Sequence, residues 1–138
     1  MGISMLQDFF DMVLLLRDNH MGQCSVNNVD LMPHDKIWQI IFVDLKRNPI
    51  TNIPTFIHQW QYDSDLYNSQ LGHHIDELCE YGYLIRHGPG YRQYRVEDAV
   101  KEKWGERYNK LSQGDKDVLS AVAQRVNKRF ATKDYQEY

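Results

Sequence analysis

Asn68-Ser69-Gln70-Leu71-Gly72-His73-His74-Ile75-Asp76-Glu77-Leu78-Cys79-Glu80-Tyr81-Gly82-Tyr83-Leu84 is the run whose reading decides the fold. Leu71, Ile75 and Leu78 recur at intervals of four and three, which predicts one apolar stripe on a helix from about Asn68 to Tyr81. Gly82 ends that helix, because glycine alone enters the left-handed backbone region without steric cost. Beyond it, Tyr83 to His87 and Tyr91 to Val96 flank Gly88-Pro89-Gly90, turn chemistry that predicts two short strands joined as a hairpin.

On the N-terminal side, Asn52 to Tyr62 reads as a short helix with Asn52 as cap, Pro54 in the first turn and Phe56, Ile57 and Trp60 inward. The alternation of Phe56, His58, Trp60 and Tyr62 also permits a strand. Further back, Ile37, Ile40, Ile41 and Leu45 predict a core helix from about Asp35 to Arg47, stopped by Asn48-Pro49. Leu6 to Asp18 is apolar on more than one face and needs burial on several sides, whereas Asn19 to Pro33 lacks periodicity and reads as loop. After the hairpin, Val100, Trp104, Tyr108 and Leu111 mark one helix and Leu119, Val122, Val126 and Phe130 another, capped by Ser112 or Asp115.

The chain has 138 residues, 42% hydrophobic and 25% charged, which suits a single domain over 1–138. Its parts are an N-terminal helix and loop over 5–34, a core over 35–97 and C-terminal helices over 98–138. No apolar run approaches the roughly 18 to 20 residues that span a bilayer, so no membrane partner and a cytoplasmic location are expected. Two cysteines, Cys24 and Cys79, lie in no C-x-x-C pattern and fit a reducing compartment.

The order of elements resembles the MarR family of winged helix-turn-helix transcriptional regulators, including its SarA-like branch, over nearly the whole chain. The quoted run from Leu71 to Leu84 is similar to the family's recognition helix with its Gly-aromatic-aliphatic step into the wing. Leu111-Ser112-Gln113-Gly114-Asp115 resembles the turn between its last two helices. Gly90-Tyr91-Arg92 stands where family wings carry Asp-x-Arg. The resemblance implies a mainly α fold with a small β-hairpin wing, a winged helix-turn-helix with N- and C-terminal dimerisation helices. It implies a homodimer that holds two reader helices about one DNA turn apart. It also admits a small-molecule effector between the winged region and the dimer helices, as in some members.

The expected function is that of a sequence-specific, double-stranded DNA-binding transcriptional regulator, with reader helix about 68–81 and wing 83–96. Asn68, Ser69, Gln70 and His73, with His74 on the flank, are polar residues off the apolar stripe that could read base edges. Arg86, His87, Arg92 and Arg95 would give the wing a positive edge for phosphate or minor-groove contact. One feature points the other way: from Gln61 to Tyr83 there is no Lys or Arg, while Asp63, Asp65, Asp76, Glu77 and Glu80 are present. The rival expectation is therefore a winged-helix module that binds protein and not DNA, with Trp38, Trp60 and Trp104 as candidate anchors.

Catalysis and metal binding are not expected. His73 and His74 diverge by about 100 degrees on a helix, and no H-E-x-x-H spacing occurs. Gly88-Pro89-Gly90 joins strands and does not open a helix, so it is no phosphate loop. No nucleophile has an identifiable base, so neither an enzyme nor a cofactor is expected. The net charge of -3 argues against indiscriminate coating of nucleic acid.

Overall fold

A computed structural model describes residues 3–24, 35–87 and 93–131. Among them the chain forms α1 (Leu6–Cys24), α2 (Asp35–Arg47), α3 (Thr55–His58), α4 (Ser69–Glu80), β1 (Leu84–His87), β2 (Gln93–Val96), α5 (Asp98–Asn109) and α6 (Gln113–Ala131). The fold is mainly helical with one two-stranded antiparallel sheet.

α1 is the helix around which the rest assembles. Phe9, Phe10 and Leu14 are wholly buried, and Met12, Val13 and Leu15 nearly so. A helix apolar on all sides is stable only when covered on all sides. α6 and α5, β2 and α4 pack against it. From α2, Phe42 meets Phe9 edge-on at 6.0 Å between ring centroids, and Trp38 meets Phe10 at 5.0 Å. Apolar surface of the first and last helices, to which the resemblance assigns dimerisation, is thus buried within one chain. Leu119, Val122 and Val126 of α6 are likewise in this core.

The quoted run folds as its pattern predicts. Asn68 caps α4, its side chain accepting from the Leu71 N–H at 3.0 Å. Leu71, Ile75 and Leu78 are buried. Gly82 takes φ 77°, while its N–H donates to the Cys79 carbonyl and that of Tyr83 to the Leu78 carbonyl, the paired bonds of a Schellman stop. The hairpin registers Leu84 with Val96, Ile85 with Arg95, Arg86 with Tyr94 and His87 with Gln93. Leu84 and Val96 are both buried and fasten its base to the core. The Gly88-Pro89-Gly90 turn lies outside the described residues.

Three expectations are corrected. α1 does not stop at Asp18 but continues to Cys24, into the first part of the stretch read as loop, the rest of which lies outside the described residues. α3 is a single turn, Thr55–His58, and neither reaches Tyr62 nor is capped by Asn52. Asn52 instead occupies a left-handed turn at φ 65°, and Pro54 stands in the cap position without a side-chain bond. Past His58 the chain leaves the helix because Trp60 stacks on Phe42 at 4.8 Å and its carbonyl accepts from Lys46 Nζ. The third correction concerns the helix-turn-helix itself. Gln59 to Asn68 separate α3 from α4, a longer connection than the ~3–4 residues of that motif. The C-terminal helices follow the pattern: Ser112 Oγ accepts from the Asp115 N–H at 3.1 Å to cap α6, and the Glu97 carboxylate accepts from Val100 to cap α5.

Candidate functional site

The start of α4 is held by three contacts that local sequence does not reveal. Gln39, buried on α2, donates from its side-chain amide to the Asn68 carbonyl at 3.0 Å and accepts from the Asn68 N–H at 2.9 Å. Asn68 Nδ2 donates to the Gln61 carbonyl at 2.7 Å. Both ends of the Asn68 side-chain amide are therefore committed, one to the cap and one to the preceding loop. Asn68 is a positioning residue and not a base reader.

His74 is also removed from the set of candidate readers. It is 8% exposed, and its Nε2 lies 2.9 Å from Asp11 Oδ1 on α1. Burial pushes the Asp11 carboxyl above its ordinary range, and the His74 hydrogen bond and charge with the Arg107 guanidinium only partly draw it back. The signal was present in the spacing: position 74 follows Leu71 by three and precedes Leu78 by four, so it faces the core.

Ser69, Gln70 and His73 are exposed, and His73 pairs loosely with Glu77 at 3.7 Å one turn on. Arg95 is exposed on β2. The hairpin backbone places Arg86 and His87 on β1, but their side chains, like all of Arg92, lie outside the described residues. The structure brings the exposed α4 residues together around a groove of about 950 Å³ between the start of α1, the end of α3 and the start of α4. Its apolar walls come from Met5, Phe56, Trp60, Tyr62 and Tyr67, its polar ones from Gln7, Gln59, Gln61 and Gln70. Asp63 and Glu77 line it, and no Lys or Arg does.

Local geometry fixes these walls. Asp63 Oδ1 accepts from the N–H groups of Asp65 and Tyr67, closing a tight loop in which Leu66 takes φ 65°. That loop lays the Tyr67 ring against Gly72 so closely that a Cβ there would come within 2.1 Å of the phenol oxygen. Met5 and Tyr67 remain 56% and 45% exposed, a disposition that apolar side chains on a binding rim share. Beneath them Trp60 is 4% exposed, and its Nε1 has no hydrogen-bond partner among the described residues. An unpaired buried donor of this kind costs about 1–3 kcal/mol.

Two basic residues adjoin the groove at Tyr62. Lys46 and Arg47, in the last turn of α2, lie 5.6 and 5.8 Å from the Tyr62 ring centroid. Sequence reasoning missed them here because their placement depends on the course of the 59–68 connection and not on any local motif. Among the described residues no group of three or more His, Cys, Asp or Glu could hold a metal ion, and no helix is long and apolar enough to cross a membrane.

Compared with protein-family models, curated proteins and solved structures, the chain matches none of them.

Proposed function

We propose that this chain is a protein-interaction module that receives a segment of a partner protein in the groove at the start of α4. The groove itself carries the reading: exposed Met5 and Tyr67 on its rim, aromatic walls, glutamine side chains and no Lys or Arg. Aromatic residues in a desolvated centre ringed by polar groups are the usual source of affinity between proteins. The same lining suits a nucleic-acid backbone poorly. A phosphate brought within about 4 Å of a carboxylate is repelled by about 1 kcal/mol even in bulk water, and Asp63 and Glu77 both border the groove.

The test is selection of a displayed random peptide library on the full chain, followed by anisotropy titration of the enriched peptides. Enriched peptides should bind wild type and lose about tenfold in affinity to Tyr67→Ala and Gln70→Arg. Enrichment no greater than on a groove-blocked Gln70→Arg chain would overturn the reading.

A second reading is the sequence-specific, double-stranded DNA-binding regulator, acting as a homodimer. The observation that favours it is the arrival of Lys46 and Arg47 beside the loop that precedes α4, together with exposed Arg95 on the hairpin. On this reading Ser69, Gln70 and His73 touch bases while Arg86, Arg92, Arg95, Lys46 and Arg47 meet phosphates. A labelled random duplex titrated at low salt separates the two. Binding that weakens steeply with salt and with Arg47→Ala supports DNA; a flat anisotropy removes it.

A further inference from the structure

Resting on the reading of the groove as a protein site, we infer that its occupant is an extended, cationic segment, one presenting Lys or Arg between apolar side chains. Three observations converge on this chemistry.

The first is charge. Asp63 and Glu77 line the groove and exposed Asp65 stands beside Asp63, with no Lys or Arg among the lining residues. Lys46 Nζ donates to the Trp60 carbonyl and lies with Arg47 at the Tyr62 ring, at one edge of the groove. Away from the Tyr62 edge, where Lys46 and Arg47 lie, a cation entering beside Asp63 and Glu77 is attracted and an anion is repelled.

The second is hydrogen bonding. The side chains of Gln7, Gln59, Gln61 and Gln70 are exposed on the groove walls and make no hydrogen bond to another described residue. Each primary amide offers two donors and an acceptor, the complement of a peptide group that offers one of each. An extended backbone presents those groups outward on both edges, whereas a helix has already paired them internally. The Trp60 indole N–H in the wall adds a buried donor that has no partner among the described residues.

The third is shape. Phe56, Trp60, Tyr62 and Tyr67 supply several aromatic faces along one groove, suited to the aliphatic stem of Lys or Arg as well as to apolar neighbours. A folded domain would need a broad flat patch, and the apolar surface here is concave.

The experiment uses the full chain and three fluorescein-labelled, end-capped peptides of alternating Leu and Ser that differ only at two central positions: Lys, Gln or Glu. The Lys peptide should bind about tenfold tighter than the Glu peptide at low salt, and Glu77→Gln should narrow that gap by about threefold. Urea unfolding of Glu77→Gln, with an unchanged midpoint, excludes a folding artefact. Equal affinity for the Lys and Glu peptides would overturn the inference and leave the groove as a protein site. Failure of all three to bind, with a duplex DNA probe binding instead, would overturn the reading on which it rests.

Discussion

Gln39 and Asn68 exchange two hydrogen bonds, the amide of one side chain pairing with the backbone N–H and carbonyl of the other residue. The two lie 29 positions apart, with α3 and the whole connection between them, so this one pair fixes the start of α4 relative to α2. The backbone of Asn68 finds on α2 the partners that a neighbouring strand would otherwise supply, and its side chain stays available to cap the helix.

Gln39→Ala leaves the Asn68 N–H unpaired at a part-buried site, while the Asn68 carbonyl keeps the Gly72 N–H at 3.2 Å, so it should destabilise the chain by about 1–3 kcal/mol. Urea unfolding should show a lower midpoint with an unchanged slope. Gln39→Glu buries a carboxylate with one oxygen against the Asn68 carbonyl, so at neutral pH its midpoint should fall below that of Gln39→Ala. A midpoint for Gln39→Ala equal to wild type would show that the pair contributes nothing.

At Gly72 the expected defect is steric. A Cβ meets the Tyr67 phenol at 2.1 Å, so Gly72→Ala must displace the ring that forms one rim of the groove, at a cost of about 1–3 kcal/mol. Tyr67→Ala removes the obstacle. In a double-mutant cycle the pair should be less damaging than the sum of the two single changes, with a coupling of about 0.5–3 kcal/mol. Additive losses would place the Gly72 effect elsewhere.

Asp11 gives a pH prediction whose sign follows from its raised pKa. The folded state holds the proton more tightly than the unfolded state. The contribution of this group is therefore fully present below the ordinary carboxylate value, about 3.9, and is lost as pH rises through the raised value. Asp11→Asn removes the titration. The stability of wild type relative to Asp11→Asn should decline with rising pH above about 4, read from unfolding midpoints across that range. A difference that grows with pH would mean that the His74 bond outweighs burial.

Much of the fold was legible because its signals are local. Asn68 as cap, the Leu71, Ile75 and Leu78 stripe and the Gly82 stop lie within one short run, and each acts on its immediate neighbours. The span Asn52 to Tyr62 misled because Phe56, Ile57 and Trp60 satisfy a helical pattern. Stacking of Trp60 on Phe42 and the Lys46 bond to its carbonyl override that pattern from α2. Asn19 and Gly22 suggested a loop, yet the backbone continues as helix to Cys24.

The candidate site was legible in part. Ser69, Gln70, His73 and Arg95 are exposed as expected. Asn68 and His74 are not available, the first spent on the cap and the Gln61 carbonyl, the second turned toward Asp11. Spacing could have separated His74 from His73, whereas nothing in the local sequence could have announced Gln39 or the groove. Both depend on how α2 meets a connection with no regular structure.

The burial of α1 has an implication for how the molecule comes into being. Its charged edge is paired across 99 residues, Asp8 with Arg107, and its apolar flank rests on α6, which is synthesised later still. Long-range closures of this kind bear the entropic cost of the whole intervening loop before any contact rewards it. Phe42 and Trp38 of α2 can cover part of this helix early, and the flank that rests on α6 is the one that waits for later chain. α6 then closes that remaining flank over elements already in place, and until it does the exposed strip of α1 is the surface most prone to association.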